Sequence, residues 1–339
     1  MHAEERHEAI LRELRAQGSI RVSDLADRLG VSAITVRRDV EALAERGRLV
    51  RTHGGARLPA AEGAPRPVPE GRLSFGMVVP SAGYYFPEVI RGAREEAARH
   101  GIRLVLGISR YDPAEDAAQV GQLLDAGVDG LLITPSGAGN ARLLEELPVP
   151  VVLVERRGFG RLEHVVSDHG YGGELAVRHL AGLGHANIAL VARGDSPHTP
   201  WIRAGFDRAL AEAGLVPGPF FATEAPDTVA PADHVDLFVK AVRDGTVDAA
   251  LIHNDHDAIV LAQQLRARGT AIPDDVAIVA YDDEVAALAD TPMTAVAPPK
   301  AAVGAAAVEL LTRRLSEPAG PRRRIALLPE LLVRASCGA

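Results

Sequence analysis

The residues whose types could recognise another molecule begin with a short basic stretch, SAITVRR, at positions 32–38. Arg37 and Arg38 each carry a planar fork of N–H donors that fits guanine O6 and N7, and the apolar side chain of Ile34 could touch a thymine methyl group. Basic and polar residues further on suit phosphate groups. The alternative is a solvated basic helix face, which is common in proteins. The full candidate set is Ser32, Ala33, Ile34, Thr35, Arg37, Arg38, Arg51 and His53.

The charge of the chain is divided unevenly. Eleven arginines and nine acidic residues give positions 1–58 a net charge of +2, so the remaining 281 residues carry −10 of the total of −8. Positions 32–58 alone hold six arginines and three acids. A small basic head on an acidic body is the balance expected if only the head meets a polyanion.

The elements that must position the basic stretch are three helices and a flap. Apolar periodicity predicts helices over 4–17, from Ser23 to Leu29, and from the Ser32 N-cap to about Arg46, with a turn at Gly30-Val31. The third helix places Val36, Val40 and Leu43 on its core side. A short two-stranded flap over 48–58 would complete a winged helix-turn-helix domain spanning 1–58.

The composition and the pattern of apolar residues change twice after residue 58. Positions 59–72 contain four prolines and two glycines without apolar periodicity, which predicts a linker. From residue 73, short apolar runs alternate with amphipathic helical stretches, which is typical of parallel sheets covered by helices. One sheet of about nine strands would fit the pattern. Two sheets of five or six with a cleft between them suit the length better. The sequence thus predicts an α/β fold.

Ligands of such lobes bind beyond the carboxyl ends of the strands. Tyr84, Tyr85 and Phe86 follow the first apolar run, and aromatic faces pack against sugars or bases. The alternative is that these rings pack on a cleft wall or at a dimer contact.

The residue clusters that could bind a metal or carry out catalysis have simpler structural explanations. His253, Asp255, His256 and Asp257 could bind a metal, but Asp255 is equally explained as the cap of a helix. Acid–base chemistry at His164, Asp168 and His169 is explained more simply by a crossover between lobes. The sequence contains neither GxxxxGK[ST] nor GxGxxG after a strand, and nothing resembles an activated serine or cysteine nucleophile. We therefore expect no metal, no cofactor and no enzymatic activity.

The head resembles a known family. Its VSxxTxRRDxxxL stretch, from Val31 to Leu43, and the trailing RxHGGA, from Arg51 to Ala56, are similar to the DNA-binding head of DeoR-type repressors over about 55 residues. The resemblance implies that Arg37 and Arg38 lie on the DNA-reading helix. Asp39 is expected to pair with a neighbouring arginine rather than to read bases.

The body resembles a different family, the LacI/GalR regulators and the periplasmic sugar-binding proteins, over roughly 73–335. The similarity is carried by FGMVVPSAGYYFPEVIRGAREEAARHGIRLVLG, VPVVLVER, VRHLAGLGHANIALVA, RAGFDRALAEAGL and HNDHDAIVLAQQLRARGTAIPDDVAIVAYDD. It implies two Rossmann-like lobes, about 73–165 with 295–323 and about 166–294 with 324–336, joined by crossovers near 164–168, 290–298 and 320–326.

This second resemblance also implies a set of ligand contacts. The positions that match effector-contacting residues are Tyr85, Glu155, Asn254 and Asp282, and side chains of the last two types suit vicinal hydroxyls. The family usually carries an arginine at the position of Ile202. Either the helix start is shifted by one residue or the cleft lacks this anchor, so Trp201 and Arg203 are candidates whose alternative role is packing.

The two resemblances together imply a hybrid, with a DeoR-type reader on a LacI-type sensor over 73–339. We expect a cytoplasmic transcriptional regulator, a repressor, that binds double-stranded operator DNA as a homodimer and has no membrane segment. Its effector would be a sugar, polyol or nucleoside. The alternatives are the solute-binding protein of a sugar transporter and an enzyme that processes sugars or nucleosides.

Overall fold

The computed structural model describes residues 6–7, 9–11, 13–14, 19–45, 48–52, 55–57, 73–137, 141–158, 160–223 and 232–338. These residues form two compact units, which divide between Arg66 and Pro67. The predicted linker over 59–72 lies outside the described residues. Each unit has its own hydrophobic core and is described by itself.

The first unit is a small helical domain with a three-stranded antiparallel sheet. Its described elements are the helical residues between 6 and 14, followed by β1 (Ser19–Arg21), α1 (Val22–Leu29), α2 (Ala33–Glu45), β2 (Val50–Thr52) and β3 (Gly55–Arg57). The strand order is β1-β3-β2. The sequence predicted two strands here. The third, β1, pairs with the edge of β3 that β2 leaves open, with Ile20 opposite Ala56.

Helix α2 is set against the core as its periodicity predicts. Gly30, at φ 65°, makes the turn before it, and Ser32 caps it by accepting a hydrogen bond from the Thr35 N–H at 3.1 Å. The predicted core residues Val36, Val40 and Leu43 are all buried. Asp39 accepts a hydrogen bond at 2.8 Å from Nε of Arg6, which confirms its predicted pairing with an arginine. This ion pair ties α2 to the N-terminal helix.

The second unit contains two six-stranded sheets, which confirms the predicted α/β architecture. The first sheet has the order β14-β8-β7-β6-β4-β5, and the second has the order β10-β9-β11-β12-β13-β15. Neighbouring strands are parallel except β13 and β15. The strands are β4 (Ser74–Val79), β5 (Arg103–Ile108), β6 (Gly130–Ile133), β7 (Val151–Val154), β8 (Glu163–Ser167), β9 (Ile188–Arg193), β10 (Phe220–Thr223), β11 (Ala249–His253), β12 (Ala277–Tyr281), β13 (Thr294–Ala297), β14 (Arg324–Leu327) and β15 (Glu330–Leu332).

Helices cover these sheets in the places where amphipathic stretches predict them. They are α3 (Phe86–Arg99), α4 (Pro113–Asp125), α5 (Ala141–Glu145), α6 (His169–Gly182), α7 (Thr199–Glu212), α8 (Ala232–Arg243), α9 (Asp255–Ala267) and α10 (Lys300–Ser316). None of the helices that the structure describes is both long and apolar enough to cross a membrane.

The chain passes three times between the two sheets, so that each sheet with its helices forms a lobe. Lobe 1 contains the first sheet, and lobe 2 contains the second. The passages follow β8, β13 and β14. The predicted lobe limits were wrong at all three, since residues 166–167 belong to lobe 1 with the rest of β8. Residues 324–327 belong to lobe 1 because β14 pairs with β8, and residues 294–297 belong to lobe 2 because β13 pairs with β12.

Helices α3 and α10 approach so closely in lobe 1 that only glycine fits at their contact. A Cβ added at Gly92 would overlap the carbonyl oxygen of Ala301, and one added at Gly304 would overlap that of Val89. Gly92→Ala should therefore lower the free energy of unfolding by about 1–3 kcal/mol, because the backbones must separate. Gly121→Ala is the matched control, since nothing lies within 4 Å of its added Cβ. Urea unfolding of both variants measures the difference, and equal stabilities would contradict the prediction.

Candidate functional site

The outer face of α2 presents the predicted contact residues to solvent. Ile34 is 65% exposed, although it is a large apolar side chain, and Arg37 and Arg38 are both exposed. Among the side chains that the structure describes, neither arginine has a carboxylate within ion-pair distance. Thr35 is half-buried and is joined to the Ser32 hydroxyl at 2.9 Å. This face is free to meet another molecule.

The side chains of three further residues of the predicted set are not described. Ala33 opens α2 and Arg51 lies in β2, but their side chains are not among those described. His53 lies outside the described residues. The contribution of the flap therefore stays a prediction.

A cleft of about 740 Å³ lies between the two lobes, next to the carboxyl ends of β4, β7, β9, β11 and β12. Seven of the eight predicted ligand residues line it, namely Tyr84, Tyr85, Phe86, Glu155, Trp201, Asn254 and Asp282. Arg203 is the exception. Its guanidinium lies 4.9 Å from the centre of the Phe220 ring and 3.6 Å from Asp207, because Ile202 points into the core and the next position turns away from the cleft.

Tyr84 connects the lobes across the cleft. Its hydroxyl lies 2.5 Å from Oδ1 of Asp255 and 3.2 Å from Oδ2 of Asp282. Burial, followed by the charges of these two carboxylates, raises the pKa of Tyr84, so the phenol stays a donor. The structure therefore holds the lobes in contact through one tyrosine of lobe 1 and two acids of lobe 2.

Asn254, not Asp255, caps helix α9. The Asn254 side chain accepts a hydrogen bond from the Asp257 N–H at 3.1 Å. Asp255 is fully buried, and its Oδ2 accepts hydrogen bonds from the Val285 and Ala286 N–H groups at 2.6 and 2.9 Å. The cap predicted for Asp255 was wrong because this side chain is needed to hold the loop after β12.

Tyr85 and Glu155 are buried in the cleft wall and are joined by a hydrogen bond. The Tyr85 and Ser167 hydroxyls both donate to Oε1 of Glu155 at 2.7 Å, and the Ser167 N–H donates to Oε2 at 3.1 Å. Burial by itself would raise the pKa of Glu155. His169, whose Nε2 lies 3.5 Å from Oε2, and these hydrogen bonds outweigh burial and lower the pKa, so the carboxylate is ionised.

Two arginines outside the predicted set, Arg156 and Arg157, also line the cleft. Arg156 donates from Nε to the Pro135 carbonyl at 3.1 Å and from Nη1 to the Glu155 carbonyl at 2.8 Å. Arg157 donates to the Ser167 carbonyl at 3.0 Å and lies 4.7 Å from the centre of the Trp201 ring. Their signal was present in the sequence, because both follow β7 directly at the carboxyl end of a cleft strand.

Asp282 is a buried acid of lobe 2 that lines the cleft. Burial raises its pKa to about 7; the positive charge of Lys300 opposes this rise, and the neighbouring Asp255 adds to it. Glu284, Tyr84 and His253 also face it, with Nε2 of His253 at 3.9 Å. Burial, together with the charges of His169 and Arg193, lowers the pKa of His253 to about 3, so this imidazole is neutral.

Asp282→Asn should make the protein less sensitive to pH. The raised pKa means that the folded state holds a proton that the unfolded state releases between about pH 4 and pH 7, so wild-type stability falls as pH rises through this range. The asparagine variant should thus melt at a higher temperature than wild type at pH 7.5, with the gain vanishing towards pH 4. Thermal melts across this range measure it. The buried histidines are present in both proteins, so they do not cause a difference between them. A difference in melting temperature that stays constant from pH 4 to pH 7.5 would contradict the prediction.

The described residues contain no cluster of three or more His, Cys, Asp or Glu side chains arranged to hold a metal ion. His253 is buried and neutral, whereas His256 is exposed, so these two side chains do not converge.

Comparison with protein families gives two separate matches. A DeoR-like helix-turn-helix domain matches residues 6–62, and a periplasmic binding protein-like domain matches residues 177–337. The chain is therefore a fusion of a helix-turn-helix domain with a domain of the periplasmic-binding-protein type.

Individual relatives extend these matches. The chain is 28% identical over 334 residues to the arabinose metabolism transcriptional repressor of Geobacillus stearothermophilus, covering 92% of this chain and 89% of the relative. It is 28% identical over 273 residues to the HTH-type transcriptional repressor PurR of Histophilus somni, covering 78% of this chain and 81% of the relative. Among solved structures, the transcriptional regulator CelR in complex with cellobiose aligns with a TM-score of 0.65 and 26% identity, covering 90% and 91% of the two chains.

Proposed function

We propose that this chain is a DNA-binding transcriptional repressor whose operator binding is controlled by a small carbohydrate- or nucleoside-like effector in the interlobe cleft. One observation carries the proposal: a single chain combines an exposed arginine-bearing face on α2 with a cleft lined by polar side chains of two lobes. The curated relatives aligned above are transcriptional repressors, which supports the same conclusion.

The first unit would read DNA through α2. Its first turns enter the major groove, where Arg37 and Arg38 donate to guanine O6 and N7 and Ile34 contacts a thymine methyl group. Arg51 and His53 of the flap would meet phosphates. A symmetric homodimer would recognise two half-sites about one helical turn, or a multiple of it, apart. Such a protein acts in the cytoplasm, where the DNA is.

The cleft would control this binding by linkage. A ligand that contacts both lobes stabilises the closed arrangement, in which Tyr84 already meets Asp255 and Asp282. If DNA prefers the other arrangement, the ligand weakens operator binding, and couplings of this kind amount to about 1–3 kcal/mol. Hydroxyl groups of the ligand would bind to Asp282 and Asn254, with Trp201 stacking on its apolar face.

Fluorescence anisotropy with the DNA upstream of the protein's own gene tests the proposal at a stated salt concentration. The dimeric protein should bind this fragment more tightly than random DNA of the same length, and sugars, polyols or nucleosides that raise its melting temperature should shift the binding curve. Equal affinity for both DNAs would refute operator recognition. Mass spectrometry of the bound ligand should return it unchanged, whereas turnover would favour an enzyme.

A further inference from the structure

We propose that the effector carries an oxyanion, as a phosphate ester or a carboxylate, and that Arg156 and Arg157 bind this group in the cleft. The inference rests on the proposed function, because it assigns the chemical class of the ligand of the same cleft. It comes from a difference among the cleft arginines: Arg193 is paired with a carboxylate, whereas Arg156 and Arg157 are not paired with one among the described residues.

Arg156 and Arg157 are the two cleft arginines without a carboxylate partner in the part of the chain that the structure describes. The third arginine, Arg193, is neutralised by a two-pronged pair with Asp195 at 3.1 and 3.0 Å. The charges of Glu155 and Asp116 act on Arg156 without an ion pair, and Tyr85, Ser167 and His169 surround the Glu155 carboxylate. A partly desolvated cation without a directly paired carboxylate is unfavourable, so the two arginines are suited to an anion supplied by the ligand.

Backbone carbonyls orient both guanidinium groups without neutralising them. The acceptors are the carbonyl oxygens of Pro135, Glu155 and Ser167. Among the described residues, Nη2 of Arg156 and Nε and Nη1 of Arg157 have no hydrogen-bond acceptor. Each of these remaining N–H groups can donate a charge-assisted hydrogen bond to an oxygen of a phosphate or carboxylate.

The two guanidinium groups also contact lobe 2 at the beginning of α7. Arg156 Nη1 lies 3.3 Å from Nε2 of His198, and the Arg157 guanidinium stacks on Trp201, one turn of chain further along. Burial and the neighbouring positive charges keep the pKa of His198 well below its usual value, so this imidazole is neutral and does not add to the repulsion. An oxyanion bound here would contact both lobes.

Other cleft residues have the opposite character. Asp282, Asn254 and the Tyr84 hydroxyl also line the cleft, and these groups suit the hydroxyls of a sugar or polyol. The cleft therefore combines two arginines of lobe 1 with acceptor groups of lobe 2. A phosphorylated sugar or a sugar acid satisfies both sets of groups, whereas a neutral sugar leaves both arginines without a directly bound anion.

Isothermal titration calorimetry with matched ligands tests the inference. The probes are ribose, ribose 5-phosphate and ribonate, glucose, glucose 6-phosphate and gluconate, and inorganic phosphate. At least one charged probe should bind about tenfold tighter than its neutral parent, which corresponds to one charge-assisted hydrogen bond. Preference for the phosphates or for the sugar acids identifies the source of the oxyanion. Arg157→Gln should remove the preference, and Arg157→Lys should retain part of it.

Controls separate this inference from the proposed function. Arg203→Gln removes the same charge from an exposed arginine outside the cleft and should change nothing. Arg156→Gln provides a second variant if Arg157→Gln folds poorly. The inference is overturned if neutral parents bind as tightly as every charged probe, or if no charged probe, inorganic phosphate included, shows binding that depends on these arginines. Effector-controlled operator binding would then still stand. Conversely, arginine-dependent anion binding without operator recognition would overturn the proposed function alone.

Discussion

Replacing Arg37 and Arg38 together with alanine should weaken operator binding by about a hundredfold or more, since a bidentate arginine–guanine contact contributes about 1–3 kcal/mol. Both side chains are exposed, so their loss should leave the first unit folded. Stabilisation by a cleft ligand should be unchanged, because the cleft is built entirely from the second unit. Fluorescence anisotropy measures the first effect, and thermal melts with and without ligand measure the second.

The matched control is Arg142→Ala with Arg203→Ala, which changes the net charge equally. Both of these arginines are exposed residues of the second unit, paired with Glu146 and Asp207. The control should bind DNA within about twofold of wild type, because these exposed charges lie outside the DNA-reading unit and are screened at physiological salt. A similar loss in both double variants would mean that net charge, not the α2 face, determines binding.

Asp282→Ala should produce a protein that still binds its operator but no longer responds to the effector. The carboxylate can accept hydrogen bonds from two ligand hydroxyls, and hydrogen bonds to charged groups contribute about 1.5–3 kcal/mol each. Effector affinity should therefore fall about tenfold to a hundredfold or more. The substitution also removes one of the two acids that face Tyr84. Calorimetry with the strongest wild-type ligand measures the loss.

Asp290→Ala is the comparison variant for this experiment. Its carboxylate is exposed and pairs with Arg266 on the surface of lobe 2, outside the cleft. It should keep wild-type effector affinity and wild-type release of DNA. If Asp282→Ala retained full effector binding, the binding of ligand hydroxyls would have to be assigned to other cleft residues.

The elements with strong apolar patterns were predictable from the sequence, and the weakly patterned ones were not. The core face of α2 follows directly from the spacing of Val36, Val40 and Leu43, and α10 lies where its amphipathic stretch begins and ends. Residues 320–326 were interpreted as a crossover between lobes, because strand β14 has exposed positions, with charged Arg324 in its first place. Short half-exposed strands carry little of the buried run on which such predictions depend.

The cleft was predictable in its location and only partly in its residues. Strand ends identify the loops that line it, but not which side chain of a loop points inward. Arg203 was in the predicted set and Arg157 was not, although both lie near predicted strand or helix ends. The direction of the Arg203 side chain depends on how α7 packs through Ile202, whereas the Arg157 side chain extends to Trp201. The contact of Tyr84 with Asp255 joins residues 171 positions apart, and no local pattern reveals it.

The glycine contacts between helices have a consequence for motion. In lobe 2, Cβ atoms at Gly173 and Gly205 would overlap backbone atoms of Ile202 and Gly170, as those at Gly92 and Gly304 would overlap backbone in lobe 1. Helices whose backbones are in direct contact resist sliding along each other, so each lobe should behave as a rigid body. Opening of the cleft then bends only the three hinge segments after Ser167, Ala297 and Leu327, and stiffening any one of them should slow the exchange between open and closed forms.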